Sequence, residues 1–352
     1  MTKTVVLGSN KVGDGNPIYK IADIGLTHGG DIDRTFKLID EAAKIGFEAI
    51  KMQLIDPDSL VGDKCAKYTY QTLNNVPVSE TFYDIFKRLD YDLGQWSEIK
   101  SEVEAKELDF ICTSHTINAF KILEKIDVSV HKICTWSLNH KRLIQFIGNT
   151  KKPIIIDTGA INKTEFDTLQ EWYFNAGGTD IIVLHDFHTN SPDMMNFNNI
   201  PWIKQQYGYP VGYTPQGRDL EFDYMAVGLG VNLLEKRFTT DRSIPQNGHF
   251  KSFTASELKT WAQKIGTLEK AKGSYVLTPS TDDLDQSQLY FKCIWTSKEI
   301  TKGEIITEDD ICYRRPIAGK KKIMAQDIDK VSGKTVTTHI TADSMLNWDV
   351  FV

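Results

Sequence analysis

Val130-His131-Lys132-Ile133-Cys134-Thr135-Trp136-Ser137-Leu138-Asn139 decides how the rest of the chain is read. Its pattern predicts a buried β-strand whose C-terminal end delivers Lys132 and Thr135, followed at once by a turn into a helix. Upstream, Ala49-Ile50-Lys51-Met52-Gln53 repeats the construction, with one lysine where a core residue is expected. A lysine inside a strand costs several kcal/mol unless an anion or carboxylate meets it. Two such strands suggest a pair of ammonium groups converging on a shared anion. The plainer alternative is two lysines at strand edges that reach solvent.

Working outward, the same strand-then-helix alternation recurs. Short apolar strands are expected at 18–24, 49–53, 109–114, 130–135, 153–158, 180–185, 211–214 and 232–238. Helical patterns lie between them. In 32–45, Phe36, Ile39 and Ala43 share a face, with Asp31 as N-cap and Gly46 as stop. In 79–90, Phe82, Ile85, Phe86 and Leu89 follow the spacing of a buried stripe, and Leu258, Trp261, Ile265 and Leu268 repeat it in 256–270. Both stripes read as core. Eight such units match an α/β fold of the (β/α)8 (TIM) barrel type better than an open sheet. After the first strand, Gly25-Leu26-Thr27-His28-Gly29-Gly30 lacks the G-x-G-x-x-G spacing of a dinucleotide site.

The ends of the chain read differently. Runs at 4–7 and 17–20 suggest a hairpin plugging the barrel floor, so the catalytic domain is placed at 1–272. Residues 273–288 are polar and turn-rich and read as a linker. Residues 289–352 read as a small, mostly β domain with strands at 289–295, 305–306 and 334–338.

Composition narrows the functional class. The chain has 352 residues, 41% hydrophobic and 25% charged, which suits a globular protein with ample core. A net charge of −6 argues against a nucleic-acid groove, which needs a basic face. Cys65, Cys112, Cys134, Cys293 and Cys312 form no C-x-x-C pair and read as reduced thiols. With neither an apolar leader nor a membrane-length apolar run, a cytoplasmic location is the expectation.

Barrel chemistry sits at the C-terminal ends of strands. Those positions hold Asp23, His28, Lys51, Gln53, Thr113, His115, Lys132, Thr135, Asp157, His185, Asp186, His188, Thr214, Gln216, Glu235 and Arg237. Two lysines, an arginine and three threonines suit a phosphate plus a carboxylate.

These positions also carry a resemblance. Ile21-Ala22-Asp23-Ile24-Gly25-Leu26-Thr27-His28-Gly29-Gly30 resembles the I-A-E-I-G-x-N-H-x-G opening of the sialic acid synthase family. Lys51-Met52-Gln53 is similar to that family's K-F-Q, Lys132-Ile133 to its K-I-G-S, and 152–159 to its K-P-I-I-L-S-T-G. Residues 211–214 and 235–239 resemble its V-G-Y-S-D-H and E-K-H-F-T. The last domain, with 297–304 and Arg314-Arg315-Pro316, is like its antifreeze-like (SAF) module. The resemblance implies a synthase that condenses phosphoenolpyruvate with a sugar-like carbonyl acceptor. It also implies a homodimer with exchanged domains, in which Arg315 reaches a partner's barrel.

The departures are uneven. The two histidines that hold the family's divalent metal, such as Mn2+, are replaced by Gln216 and Arg237, so no metal cofactor is expected. The motif glutamate of the first strand is Asp23, and Trp136 and Ser137 stand where the family has glycine and glutamate. The resemblance implies a donor cradle of Lys51, Gln53, Thr113, Lys132, Thr135, Thr214 and Arg315, with His185 and Gln216 among the substrate contacts. Asp23, Arg237 and His188 are the expected catalytic groups, His28 another candidate for proton handling, and Arg237 takes the metal's place as electrophile. Trp136 is expected to shrink the acceptor pocket or stack on a ring. Cys134 reads as a small core residue.

Three other readings stay open. One is a lyase or enol-phosphate hydrolase on a related anion. Another is a non-catalytic sugar- or phosphate-binding paralogue. The third is a relocated metal site drawn from His28, His115, Asp157, His185, Asp186 and His188.

Overall fold

The computed structural model describes residues 2–73, 75–189 and 191–352, and they divide into two compact units, Met1–Gly273 and Ser274–Val352. In the first, eight parallel strands close a barrel. In chain order they are β3 (Tyr19–Asp23), β4 (Ala49–Leu54), β7 (Asp109–Ser114), β8 (His131–Ile133), β9 (Ile154–Asp157), β10 (Ile181–His185), β11 (Val211–Tyr213) and β12 (Leu233–Arg237). Each pairs with the next, and β12 closes on β3 through Arg237 opposite Asp23. All eight overlap the strands expected from the sequence. The strand at 130–135 is shorter because Thr135–Ser137 already turns as a 3-10 helix.

Strand alternation sorts side chains into two layers. Ile21, Ala49, Ile111, Val130, Ile155, Ile182, Leu184 and Leu233 belong to one buried cluster, together with Val5, Leu7 and Val12. Those last three come from an antiparallel hairpin, β1 (Val5–Leu7) and β2 (Asn10–Val12). The hairpin expected from the sequence joined 4–7 to 17–20, whereas residues 19 and 20 open β3 instead. At the start of β7, Asp109 accepts from Asn10 Nδ2 at 2.9 Å and Tyr19 Oη at 2.7 Å, tying the hairpin to the barrel floor. Gly8, at φ 52°, leaves no room for a Cβ beside that carboxylate.

The helix Ile32–Ile45 starts and stops where the sequence says. Asp31 accepts the Arg34 backbone N–H, and Gly46 adopts the left-handed conformation. In the helix Ala255–Lys272, Leu258, Trp261 and Ile265 are buried as expected. Between β4 and β7 the structure differs from expectation. A hairpin of β5 (Lys67–Gln71) and β6 (Pro77–Thr81) precedes a shorter helix, Phe82–Arg88, capped by Thr81.

In the second unit, β13 (Cys293–Thr296) pairs antiparallel with β14 (Ile311–Arg314). Single bridges such as Ile300 with Ile340 and Ile305 with Thr335 extend the β character. Ile294, Ile300, Ile306, Ile323, Val336 and Leu346 are part of its own core. The stretch read as a linker carries a helix, Thr281–Tyr290, with a Ser280–Asp283 capping box. That helix displaces the start of the expected strand at 289 to Cys293. No helix among the described residues is long and apolar enough to cross a membrane.

Candidate active site

At the C-terminal ends of the barrel strands a cavity encloses about 490 Å³, within the few-hundred-Å³ range usual for small-molecule sites. Its wall includes Asp23, Lys51, Gln53, His115, Lys132, Asp157, Asp186, His188, Thr214, Gln216, Glu235 and Arg237. Alternation on the strands explains the selection. Lys51 and Gln53 point inward while Ile50 and Met52 pack in the outer core, and Glu235 and Arg237 point inward while Lys236 does not.

The two lysines do converge, but the anion they share is one of the chain's own carboxylates. Glu235 Oε2 lies 2.7 Å from Lys132 Nζ, and its Oε1 lies 3.5 Å from Lys51 Nζ. Asp23 Oδ2 stands 3.1 Å from Lys51, and Asp157 Oδ1 stands 3.4 Å from Lys132. The lysines are thus wholly internal, and the solvent-reaching alternative fails: Lys51 is 5% exposed and Lys132 1%.

Burial alone would lower both ammonium pKa values. For Lys51, Asp23 and Glu235 outweigh it and raise the pKa. For Lys132, Asp157 and Glu235 do the same. Burial also works against the Asp23 carboxylate, yet Lys51, the Gly25 backbone N–H, Lys132 and Arg237 hold it below the usual range. Asp157 goes the other way. Burial raises it well above the usual range, Asp186 and Glu235 add to the rise, and Lys132 only partly opposes it.

A second chain of polar contacts also lines the cavity. Arg237 Nη2 donates to Gln216 Oε1 at 2.9 Å, and Gln216 Nε2 donates to Asp186 Oδ1 at 2.7 Å. Asp186 Oδ2 lies 3.7 Å from His188 Nε2, and the His188 ring meets Trp136 with centroids 4.6 Å apart. Gly159 permits this crowding, since any Cβ there would strike the Asp186 carbonyl, His188 and Thr135.

The donor set does not fit a divalent cation. The Gln216 oxygen is taken by a guanidinium, which cannot coordinate a cation. Among the described residues no group of three His, Cys, Asp or Glu side chains is placed to hold a metal ion. That count includes the histidines and aspartates considered for a relocated site.

Several residues singled out from the sequence lie elsewhere. His28 is fully buried, with Nδ1 3.1 Å from Tyr91 Oη, and burial drops its pKa to about 3. It is outside the cavity wall and cannot exchange protons there. His185 is also outside the wall, with Nε2 2.8 Å from the Met195 carbonyl and its ring against Phe187. Thr113 and Thr135 do not reach the wall either, though the hydroxyl of each is buried without a partner. Arg315 belongs to the second unit, its guanidinium 4.8 Å from the Tyr290 ring.

The wall also contains residues that sequence reasoning passed over. Tyr68, Phe82 and Phe86 line it, with Tyr68 and Phe82 stacked at 5.2 Å. Of the stripe assigned to the core, only Ile85 and Leu89 are buried. The alternation of Tyr68 and Tyr70 was the available signal, a period of two that marks a strand. Cys134, read from the sequence as a small core residue, is instead half-buried on the wall, its Sγ 3.7 Å from His115 Nδ1, because the chain has left β8 there for the 3-10 turn. His115 Nε2 meets Gln53 Oε1 at 3.1 Å, and burial, with Lys51 adding, holds its pKa at about 4.

Comparison with known proteins covers nearly the whole chain. The model of the NeuB family matches residues 38–276, and that of the SAF domain matches 291–352. An N,N'-diacetyllegionaminic acid synthase of Legionella pneumophila is 27% identical over 94% of this chain and 94% of its own. The human N-acetylneuraminate-9-phosphate synthase is 21% identical over 95% of this chain and 93% of its own. A crystal structure of N-acetylneuraminic acid (sialic acid) synthetase from Leptospira borgpetersenii, in complex with citrate, shares the fold with a TM-score of 0.71. It is 24% identical and covers 81% of this chain and 95% of that one.

Proposed function

The chain belongs to the NeuB family, and from that premise we propose that it is a phosphoenolpyruvate-dependent synthase acting on a sugar-like carbonyl acceptor without a metal ion. The observation that carries the reading is the convergence of Lys51, Lys132 and Arg237 on one cavity at the strand ends. Relatives named as nonulosonic acid synthases supply the reaction class.

In this reading carbon 3 of the enolpyruvate attacks the acceptor carbonyl carbon, and the enol π electrons form the new C–C bond. Water adds at carbon 2, and cleavage of the C–O bond to phosphorus releases phosphate and leaves a 2-keto acid. Negative charge develops on the acceptor oxygen. Arg237, fixed by Gln216, supplies the positive charge that a metal would otherwise provide. His188, held near Asp186, delivers a proton to the new alkoxide, and Asp23 accepts one from the attacking water. Lys51, Gln53, Lys132 and Thr214, all on the cavity wall, hold the donor.

Arg315 is assigned to a neighbouring barrel in a domain-exchanged homodimer. The second unit leaves Tyr275, Leu277, Leu289, Tyr290 and Phe291 exposed, apolar surface suited to covering by another chain. A monomer in sedimentation at micromolar concentration would defeat that assignment.

The catalytic reading is tested by titrating phosphoenolpyruvate into chelator-treated protein in a calorimeter, beside Lys132→Ala. Binding to the unmodified protein and its loss in the variant are expected, followed by phosphate release that requires an added sugar aldehyde. Absence of binding in the unmodified, folded protein would overturn the reading. Phosphate release without any acceptor would mark a hydrolase instead.

A further inference from the structure

We propose that the donor cradle accepts a phosphorylated anion only when Asp157 carries a proton, so that Asp157 couples anion binding to pH. The inference rests on the reading of this cavity as a donor site and goes beyond it by assigning a positioning role to a carboxyl group.

Each buried ammonium already has a carboxylate within direct reach. Lys132 donates its hydrogen bond to Glu235 at 2.7 Å, and Lys51 is held by Asp23 at 3.1 Å with Glu235 at 3.5 Å. Asp157 is the third carboxyl group in this set of two lysines, and it is the one in excess. Its Oδ1 sits 3.4 Å from Lys132 Nζ but makes no hydrogen bond, and the residue is 3% exposed. Asp157 belongs to the cavity wall, and its unpartnered oxygen lies beside the ammonium that an entering anion would meet.

The groups facing Asp157 come from both sides. Lys132 on β8 and Cys134 just beyond it lie on one flank. Asp186, just beyond β10, lies on the other, and Glu235 on β12 faces across the barrel. A phosphate drawn to Lys132 would meet the ionised carboxylate of Asp157 beside the same ammonium. Two anions sharing one cation out of water repel strongly. With a proton on Asp157 its share of the repulsion is removed, and the carboxyl O–H becomes a hydrogen-bond donor to the phosphate oxygen. Burial, Asp186 and Glu235 already push that proton's pKa upward. Glu235 and Asp23 cannot serve instead, because each is bound to a lysine through a shorter contact.

The experiment is a pH series of phosphoenolpyruvate titrations over the whole range in which the protein stays folded, the ligand's own phosphate titration at about pH 6 being common to both proteins. It uses the full-length protein and Asp157→Asn, each in buffers of different ionisation enthalpy. In the unmodified protein, affinity is expected to fall by about tenfold per pH unit on the alkaline limb, with uptake of about one proton per ligand there. Asp157→Asn is expected to lose that slope and that uptake, and to bind at alkaline pH as the unmodified protein does on the acid side of that limb. Should the asparagine variant fail to fold, Asp157→Ser takes its place.

Binding with the same pH dependence in both proteins would overturn the role of Asp157 and leave the donor reading standing. A folded protein that binds no phosphoenolpyruvate at any pH would overturn both.

Discussion

Lys132 and Lys236 are each at most 1% exposed, and both belong to the barrel wall, yet their surroundings differ. On the outer side of β12, Lys236 Nζ lies 2.6 Å from Asp223 Oδ2, which also accepts the Trp261 indole N–H at 2.9 Å. The rings of Phe253 and Trp261 stand 4.5 and 5.8 Å from the ammonium. This is a closed unit of one cation and one anion, and neither residue lines the strand-end cavity. Around Lys132 and Lys51, three carboxylates surround two ammonium groups, and one face opens onto the cavity. A buried lysine by itself therefore does not report a ligand. Unbalanced charge next to open space does.

The largest expected effects come from breaking the two units in the same way. In the closed unit, Asp223→Asn leaves Lys236 buried without its counter-ion, and a loss of about 3–5 kcal/mol in urea unfolding is expected. In the open cluster, Asp157→Asn removes the carboxyl group in excess, and a gain of about 1 kcal/mol at neutral pH is expected. The sign follows from proton binding. Asp157 holds its proton more tightly in the folded than in the unfolded chain, so stability falls as pH rises from the ordinary value of 3.8 through the raised one. The variant lacks that loss, and its advantage over the unmodified protein should grow with pH and vanish in acid. Equal destabilisation by the two substitutions would erase the distinction between the clusters.

That distinction also marks what could be read from the string. Lysines set among apolar residues at 51 and 132 identified the strands and the face that carries chemistry, because local period is a property of a few neighbours. The carboxylate that meets Lys132 is 103 residues away on β12. Which of the many strand-end acids would reach it depends on barrel register, which has no local signature. The same reason explains Phe82 and Phe86. Helical spacing groups them with Ile85 and Leu89, but the helix is short and lies at the cavity, so its faces divide between core and wall.

Elements with little buried surface were the ones missed. The helix Thr281–Tyr290 has no buried residue, and β2 contributes only Val12 to the floor, so neither imposes a hydrophobic period. His28 misled for a different reason. A histidine just beyond a barrel strand is a reasonable proton carrier by position, but the loop folds it inward against Tyr91.

The smallest expected effect on stability sharpens the comparison from the rim. Trp136 is 69% exposed, and the one aromatic contact resolved for its ring is with His188 at 4.6 Å. Removing it takes nothing from the core, so Trp136→Gly should change stability by no more than about 0.5 kcal/mol. It stands on the wall with Gln216 and Arg237, on the part of the site assigned to the acceptor. The variant is expected to accept a different range of sugar aldehydes in a phosphate-release assay, while phosphoenolpyruvate affinity stays within about twofold. If donor affinity fell as far as acceptor turnover, the cavity would not divide into a charged donor floor and an aromatic acceptor rim. The open cluster would then have to be treated, like the closed one, as a single unit whose parts cannot be changed separately.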